Sequence, residues 1–87
     1  DQAASMYFTI FPNPSSGAFN IILKNSDFKG DAQIKIYDFK GGVVHAEKVN
    51  IENGINLFMI NKKLSFGLYK VDIQNQENVY SIRHIVN

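Results

Sequence analysis

Apolar and polar side chains alternate with a period of two along several short stretches of the chain. Residues 67–74 show the clearest alternation, with Tyr69, Val71 and Ile73 on one face. Such alternation is typical of a half-buried β-strand. By the same argument, strands are predicted at residues 7–10, 18–23, 32–38, 43–49, 55–60, 67–74 and 79–86. The side chains expected to form the core are Phe19, Ile21, Ile34, Ile36, Leu57, Tyr69, Val71 and Ile73.

Turn-forming residues separate the predicted strands. Asn53 and Gly54 form the dipeptide that is typical of a type I′ hairpin. The pairs Gly30-Asp31 and Gly41-Gly42 supply glycines that can adopt a positive φ, and residues 75–78 are polar and rich in asparagine, as at a hairpin tip. No window shows a sustained helical period. About seven short strands without a helix predict an all-β fold, an immunoglobulin-like antiparallel β-sandwich.

The stretch FPNPSSG, near the start of the chain, cannot continue a helix or a central strand. Pro12 and Pro14 fix two φ angles and remove two amide donors. We expect a rigid turn in which Asn13 bonds to nearby backbone amides and Gly17 takes a positive φ. Phe11 is expected to plug the core beneath this turn.

Composition limits the classes of protein that remain. Eighty-seven residues, 45% of them apolar, suit one domain. Nine scattered basic residues against eight acidic ones give a net charge of +1, which gives no reason to expect a nucleic-acid partner. There is no cysteine, and no apolar run approaches the roughly 18 residues of a membrane helix, so direct membrane insertion is not expected. We interpret residues 1–6 as a linker remnant of a longer polypeptide and residues 7–87 as the domain.

The chain offers little catalytic chemistry. Its two histidines, His45 and His84, fall within predicted strands, where we expect them at the surface or at an edge. No serine lies in a nucleophile elbow, and the carboxylates are spread over turns and outward positions. We therefore expect no enzyme activity, no cofactor and no metal site. The eleven aromatic residues invite a sugar-binding interpretation, but a core role is favoured, with Tyr37 as the best exception.

Four motif blocks in order along residues 7–87 resemble the type A C-terminal sorting domain of the type IX (Por) secretion system of Gram-negative bacteria. The family pattern begins with [YF]-P-N-P-x-x-G, continues with a Y-D-x-x-G turn and an N-G dipeptide, and ends with L-x-x-G-x-Y before a last strand. The matching residues here are Phe11, Pro12, Asn13, Pro14 and Gly17, then Tyr37, Asp38 and Gly41, then Asn53 and Gly54, then Leu64, Gly67 and Tyr69. The chain departs from the pattern at Gly42, where the family usually has Lys or Arg, and in a last strand that carries Arg83 but no terminal lysine.

The resemblance implies a C-terminal secretion signal that directs an upstream cargo across the outer membrane. Its implied partners are the outer-membrane translocon, a sortase-like peptidase that removes the domain, and the cargo in the same chain. The implied destination is secretion or the cell surface by way of the periplasm.

The last residues of the chain are the candidates for contact with this machinery. They are Arg83, His84, Ile85, Val86 and Asn87. The alternative is that Ile82, Ile85 and Val86 only complete a sheet. For the domain as a whole, the alternatives are an immunoglobulin- or fibronectin-like spacer and a carbohydrate-binding module of a secreted multidomain enzyme.

Overall fold

A computed structural model describes residues 6–13, 15, 17–25, 30–76 and 78–87. Seven strands and no helix form this part of the chain, so the prediction of an all-β fold is confirmed. The strands are β1 (Met6–Phe11), β2 (Phe19–Asn25), β3 (Gly30–Tyr37), β4 (Val43–Ile51), β5 (Gly54–Ile60), β6 (Gly67–Gln74) and β7 (Val79–Val86). The described residues include no helix long and apolar enough to cross a membrane. The linker predicted at residues 1–6 lies, except for Met6, outside the described residues.

The strands form two antiparallel sheets. One sheet has the order β1-β2-β5 and the other the order β4-β3-β6-β7. With the strands lettered A, B, C, C′, E, F and G in chain order, these are the ABE and C′CFG sheets of an immunoglobulin-like sandwich. Strands β1, β5, β4 and β7 are the edges, because in the described part of the chain each pairs with one other strand only.

The core lies between the two sheets, and the inward positions that the alternation predicted form much of it. Seven of the eight expected core side chains are buried, because pleating sends every second side chain of a strand to the same face. The confirmed residues are Phe19, Ile21, Ile34, Ile36, Tyr69, Val71 and Ile73.

In strand β5, the face that packs into the core is the opposite of the predicted one. Leu57, expected in the core, is 57% exposed, whereas Ile60 is 1% exposed and Asn56 is 8% exposed. The polar Asn56 is tolerated inside because its side chain is fully bonded. Its Oδ1 accepts from the amide of Glu52 at 2.9 Å, and its Nδ2 donates to the carbonyls of Glu52 at 2.9 Å and Leu23 at 3.3 Å.

Asn53 and Gly54 do not form the predicted hairpin. They connect β4 to β5, and these strands belong to different sheets. Gly54 has a φ of +103°, but no non-glycine residue among those described has a positive φ, so Asn53 cannot complete a type I′ turn. The hairpin tip predicted at residues 75–78 is confirmed for its described residues, because Gln74 pairs with Val79 and the amide of Asn75 donates to the carbonyl of Asn78 at 2.9 Å, whereas Glu77 lies outside the described residues.

Candidate functional site

The turn near the start of the chain is bonded to the end of β7. Ser15 forms a parallel bridge with Val86. Its amide donates to the carbonyl of Ile85 at 2.9 Å, and its carbonyl accepts from the amide of Asn87 at 2.8 Å. Asn13 Oδ1 accepts a further bond from the amide of Ile85 at 3.2 Å. Two segments that the sequence singled out separately, the proline turn and the C-terminal tail, therefore form one structural unit.

The predictions made for single residues of the proline turn are confirmed for some residues and wrong for others. Gly17 has the predicted positive φ, +137°, and is buried. Asn13 bonds to a backbone amide as expected, but the amide belongs to Ile85, 72 positions away, rather than to a local residue. Phe11 is not a plug: it is 41% exposed, because it lies on the outer face of the end of β1. Pro12 is exposed and follows a cis peptide bond, and Pro14 lies outside the described residues.

A buried hydrogen bond joins Ser15 and His84 beneath this turn. Ser15 Oγ lies 2.8 Å from His84 Nε2, and Ser15 is 3% and His84 0% exposed. The His84 ring also packs against the ring of Phe19, with centroids 4.2 Å apart. His84 does lie on an edge strand, but the expectation of a surface position is wrong, because the turn and Phe19 cover its side chain. Burial lowers the pKa of His84 below its ordinary value of 6.5.

The Ser15–His84 pair has the distance of a nucleophile and its base but not their setting. A catalytic histidine is oriented by a third group, and Nδ1 of His84 is buried with no partner among the described residues. Neither side chain is open to a substrate, since both are almost fully buried. The geometry is that of a structural bond that fixes the turn to β7.

The turn between β3 and β4 is organised by Asp38. Its Oδ1 accepts from the amide of Lys40 at 3.0 Å and from the amide of Gly42 at 2.9 Å. The amide of Asp38 itself donates to the carbonyl of Gly42 at 2.9 Å, and that of Gly41 to the carbonyl of Asp38 at 3.0 Å. The Y-D-x-x-G block thus corresponds to a carboxylate-capped turn.

Tyr69 fixes the connection between the two sheets. Its hydroxyl donates to the carbonyl of Ser65 at 2.6 Å, four positions earlier. Such a bond at the start of the sixth strand is the tyrosine corner of immunoglobulin-like sandwiches. Leu64, which is 9% exposed, packs into the core within the same connection, and its backbone lies 3.8 Å from where a Cβ on Gly17 would stand.

Three of the four motif blocks therefore gather at one end of the sandwich. The proline turn contacts the end of β7, and Leu64 lies beside Gly17 of that turn. A surface groove of about 410 Å³ is formed by residues of β6 and β7 together with Tyr37, Asp38 and Gly41. Asn53 and Gly54 lie at the opposite end, where Gly54 pairs with Asn25. The gathered end is the one at which β7 finishes.

The C-terminal tail presents two faces. His84 and Val86 are buried, whereas Arg83, Ile85 and Asn87 are exposed. Val86 does complete the sheet, as the alternative interpretation requires, but Ile85 is 48% exposed and contributes to the surface. Among the described residues, no three His, Asp or Glu side chains are grouped as metal ligands.

Sequence reasoning treated Ser15 only as a turn-forming residue and missed its partner. The available signal was that a histidine at an inward position of an alternating strand, His84, needs a polar partner in the core. The pattern of β7, in which Ile82, His84 and Val86 share one face, contains that signal.

A family model described as a secretion system C-terminal sorting domain matches residues 9–87. The match includes all four motif blocks and the tail. None of the curated proteins matches the chain at a significant level.

Proposed function

The chain belongs to the family of secretion system C-terminal sorting domains of type IX secretion, and from this premise we propose that it directs an upstream cargo protein across the outer membrane by contacts made at its last strand. A sorting domain of this kind implies a cargo and a secretion machinery that recognises it. It also implies export, followed by secretion or display at the cell surface.

The observation that carries the proposal is the bonding of the proline turn to the tail. Asn13 and Ser15 hold the backbone of Ile85 and Asn87, so the last residues have a fixed shape in the folded domain. A receptor that binds Arg83 and Ile85 then binds a preorganised surface, which lowers the entropic cost of association. The translocon would in this way recognise folded domains and not extended chain ends.

Removal of the domain by a sortase-like peptidase is the second part of the proposal. Cleavage would fall before β1, at or near residues 1–5, where the sequence has mostly small or polar residues as in a linker. The cargo would then be released or attached to the cell surface.

The test is a fusion of a signal peptide and a fluorescent protein to the N-terminus of residues 1–87, expressed in a host with a working type IX system. Deleting residues 83–87 is a poor control, because it also removes the buried His84 and Val86 and the partners of the turn. We prefer the double variant Arg83→Glu, Ile85→Ser, which changes only exposed side chains. The matched control is Lys24→Glu, Leu57→Ser on the outer face of the other sheet.

We expect fluorescence in the medium or at the cell surface for the intact fusion and for the control, and retention in the periplasm for the β7 variant. An intact, folded fusion that stays in the periplasm would contradict the proposal and leave the spacer interpretation in first place. Mass spectrometry of the exported cargo tests the cleavage step, since an exported cargo that keeps the domain contradicts removal.

A further inference from the structure

Lys70 and Arg83 lie directly opposite each other on β6 and β7. The amide and carbonyl of Ile85 both bond to the turn, so they form no bond to Leu68, which lies opposite on β6. Leu68 and Ile85 are therefore a non-hydrogen-bonded pair. Because the two kinds of pair alternate along antiparallel strands, Lys70 and Arg83 are a non-hydrogen-bonded pair as well. Side chains are closest in such pairs, with Cα atoms about 4.5 Å apart. Like charges directly opposite are destabilising, so the fold itself gives no reason for this arrangement.

Lys70 has partners that draw it away from Arg83. Its Nζ lies 3.5 Å from Oδ2 of Asp72 and 4.8 Å from the centre of the Tyr37 ring. Asp72 is in turn bonded to Ser81 Oγ at 2.6 Å. Arg83 has no ion pair or hydrogen bond to any described side chain. An exposed guanidinium is therefore left without a counter-ion at the centre of this surface.

Apolar side chains flank the free guanidinium. Leu68 is 45% and Ile85 48% exposed, and the two are opposite each other, one step along the same outer face. Phe39, 76% exposed, lies at the groove that Arg83 and Leu68 also line. A free phosphate or a polyanion needs only cationic side chains for binding. A peptide with acidic and apolar side chains would also contact the apolar side chains around Arg83.

Backbone groups beside Arg83 are also open. On β7, the amide and carbonyl of Ile85 point away from β6 and are taken by the proline turn. Backbone groups of every second residue of a strand point to the same side, so the amides and carbonyls of Ser81 and Arg83 also point away from β6. No described residue bonds to them on that side. The turn thus covers one half of the β7 edge, and the other half, which has no backbone partner among the described residues, is available for strand addition.

We propose that the open part of the β7 edge binds an extended acidic segment of a partner protein. The segment adds as a strand beside Ser81 and Arg83, places a carboxylate on the guanidinium of Arg83, and lays an apolar side chain against Leu68 and Ile85. This inference rests on the proposed function, since it names the chemistry of the partner that reads the last strand.

The probe is a short capped peptide that alternates valine and glutamate, titrated into isotope-labelled protein of residues 1–87 and followed by nuclear magnetic resonance. We expect saturable shifts at the amides of Ser81 and Arg83 and at the methyl groups of Leu68 and Ile85, with none at Leu57 on the other sheet. The same peptide with glutamine in place of glutamate should bind more weakly, and added salt should weaken the glutamate peptide alone.

Arg83→Glu is the decisive variant, because it replaces the like-charge pair with an attractive one and so leaves the fold intact. We expect it to reduce affinity for the glutamate peptide about fivefold, the effect of roughly 1 kcal/mol at an exposed charge. Lys48→Glu, an equal charge reversal at an exposed position of β4, should not change the affinity.

Equal binding of the glutamate and glutamine peptides, or unchanged binding by Arg83→Glu, would overturn the inference. So would shifts at Arg83 with inorganic phosphate and none with the peptide, which would indicate a non-protein anion. The result is separate from the fusion assay: an exported fusion whose domain binds no acidic peptide supports the proposed function and contradicts the inference.

Discussion

Ser15 Oγ lies 2.8 Å from His84 Nε2, so one buried hydrogen bond connects the turn near the start of the chain to its last strand across 69 positions of sequence. The bond lies beneath the backbone bonds that Ser15 forms with Ile85 and Asn87. Any change that weakens it is expected to loosen the surface that the tail presents. The relationship makes the stability of the domain and the shape of its tail depend on the same two side chains.

Stability should fall in mild acid because of His84. Burial lowers the pKa of His84 in the folded state, so the unfolded chain binds the proton more tightly. The contribution of this residue to the free energy of unfolding is therefore fully present above the unfolded pKa of 6.5 and is lost as the pH falls towards the lower folded-state pKa. Urea unfolding at about pH 7.5 and about pH 5.5 measures the difference.

Two variants assign the pH effect to its residue. His84→Gln removes the titrating group and should flatten the pH dependence between these two conditions. Ser65→Ala, which changes an exposed side chain and no titrating group, should leave it as in the parent protein. An unchanged pH dependence in His84→Gln would show that another group is responsible.

Ser15→Ala should destabilise the domain through the same contact. The change removes the partner of His84 Nε2 and the oxygen that accepts the Gly17 amide at 3.3 Å. Leaving buried polar groups unpaired costs about 1–3 kcal/mol of the free energy of unfolding. Ser65→Ala is the matched control: the Ser65 side chain is exposed, and only its carbonyl is used, so its effect should stay within about 0.5 kcal/mol. Equal midpoints for the two variants in urea would contradict the assigned role of Ser15.

Local patterns were sufficient to predict the strands and most of the core, but not the pairing between distant segments. The alternation around Val71 and Ile36 identified buried faces, because pleating is a local property of the chain. The contact of Ser15 with His84 depends on how two sheets pack, and no spacing rule contains it. Of the motif residues, Gly17 was correctly expected at a positive φ, whereas the partner of Asn13 was sought nearby and lies on β7.

The tyrosine corner should contribute measurably to stability. Tyr69→Phe removes only the hydroxyl that donates to the carbonyl of Ser65 at 2.6 Å and keeps the ring in the core. A net loss of about 0.5–1.5 kcal/mol in the free energy of unfolding is expected for one such bond. Tyr37→Phe is the matched control, because the Tyr37 hydroxyl has no hydrogen bond to a described residue. Equal losses in both variants would show that the corner bond adds nothing.

The inverted face of β5 explains why periodicity alone was misleading there. One face of the strand carries the apolar residues Ile55, Leu57 and Met59. The opposite face carries the apolar residues Phe58 and Ile60 together with the polar Asn56. Both faces of the strand are compatible with burial by hydropathy. The inward face is decided by the bonds of Asn56 to Glu52 and Leu23, which hold the crossing from β4 to β5 in one register.

Truncation of neighbouring apolar side chains on β5 distinguishes the two faces. Ile60→Ala should cost about 2–5 kcal/mol of the free energy of unfolding, because Ile60 is 1% exposed and its removal leaves a cavity between the sheets. Leu57→Ala should change stability by about 0.5 kcal/mol or less, because Leu57 is 57% exposed and contacts solvent. Chemical denaturation of both variants gives the comparison directly. A larger loss for Leu57→Ala than for Ile60→Ala would restore the face predicted from sequence and contradict the inward position of Asn56.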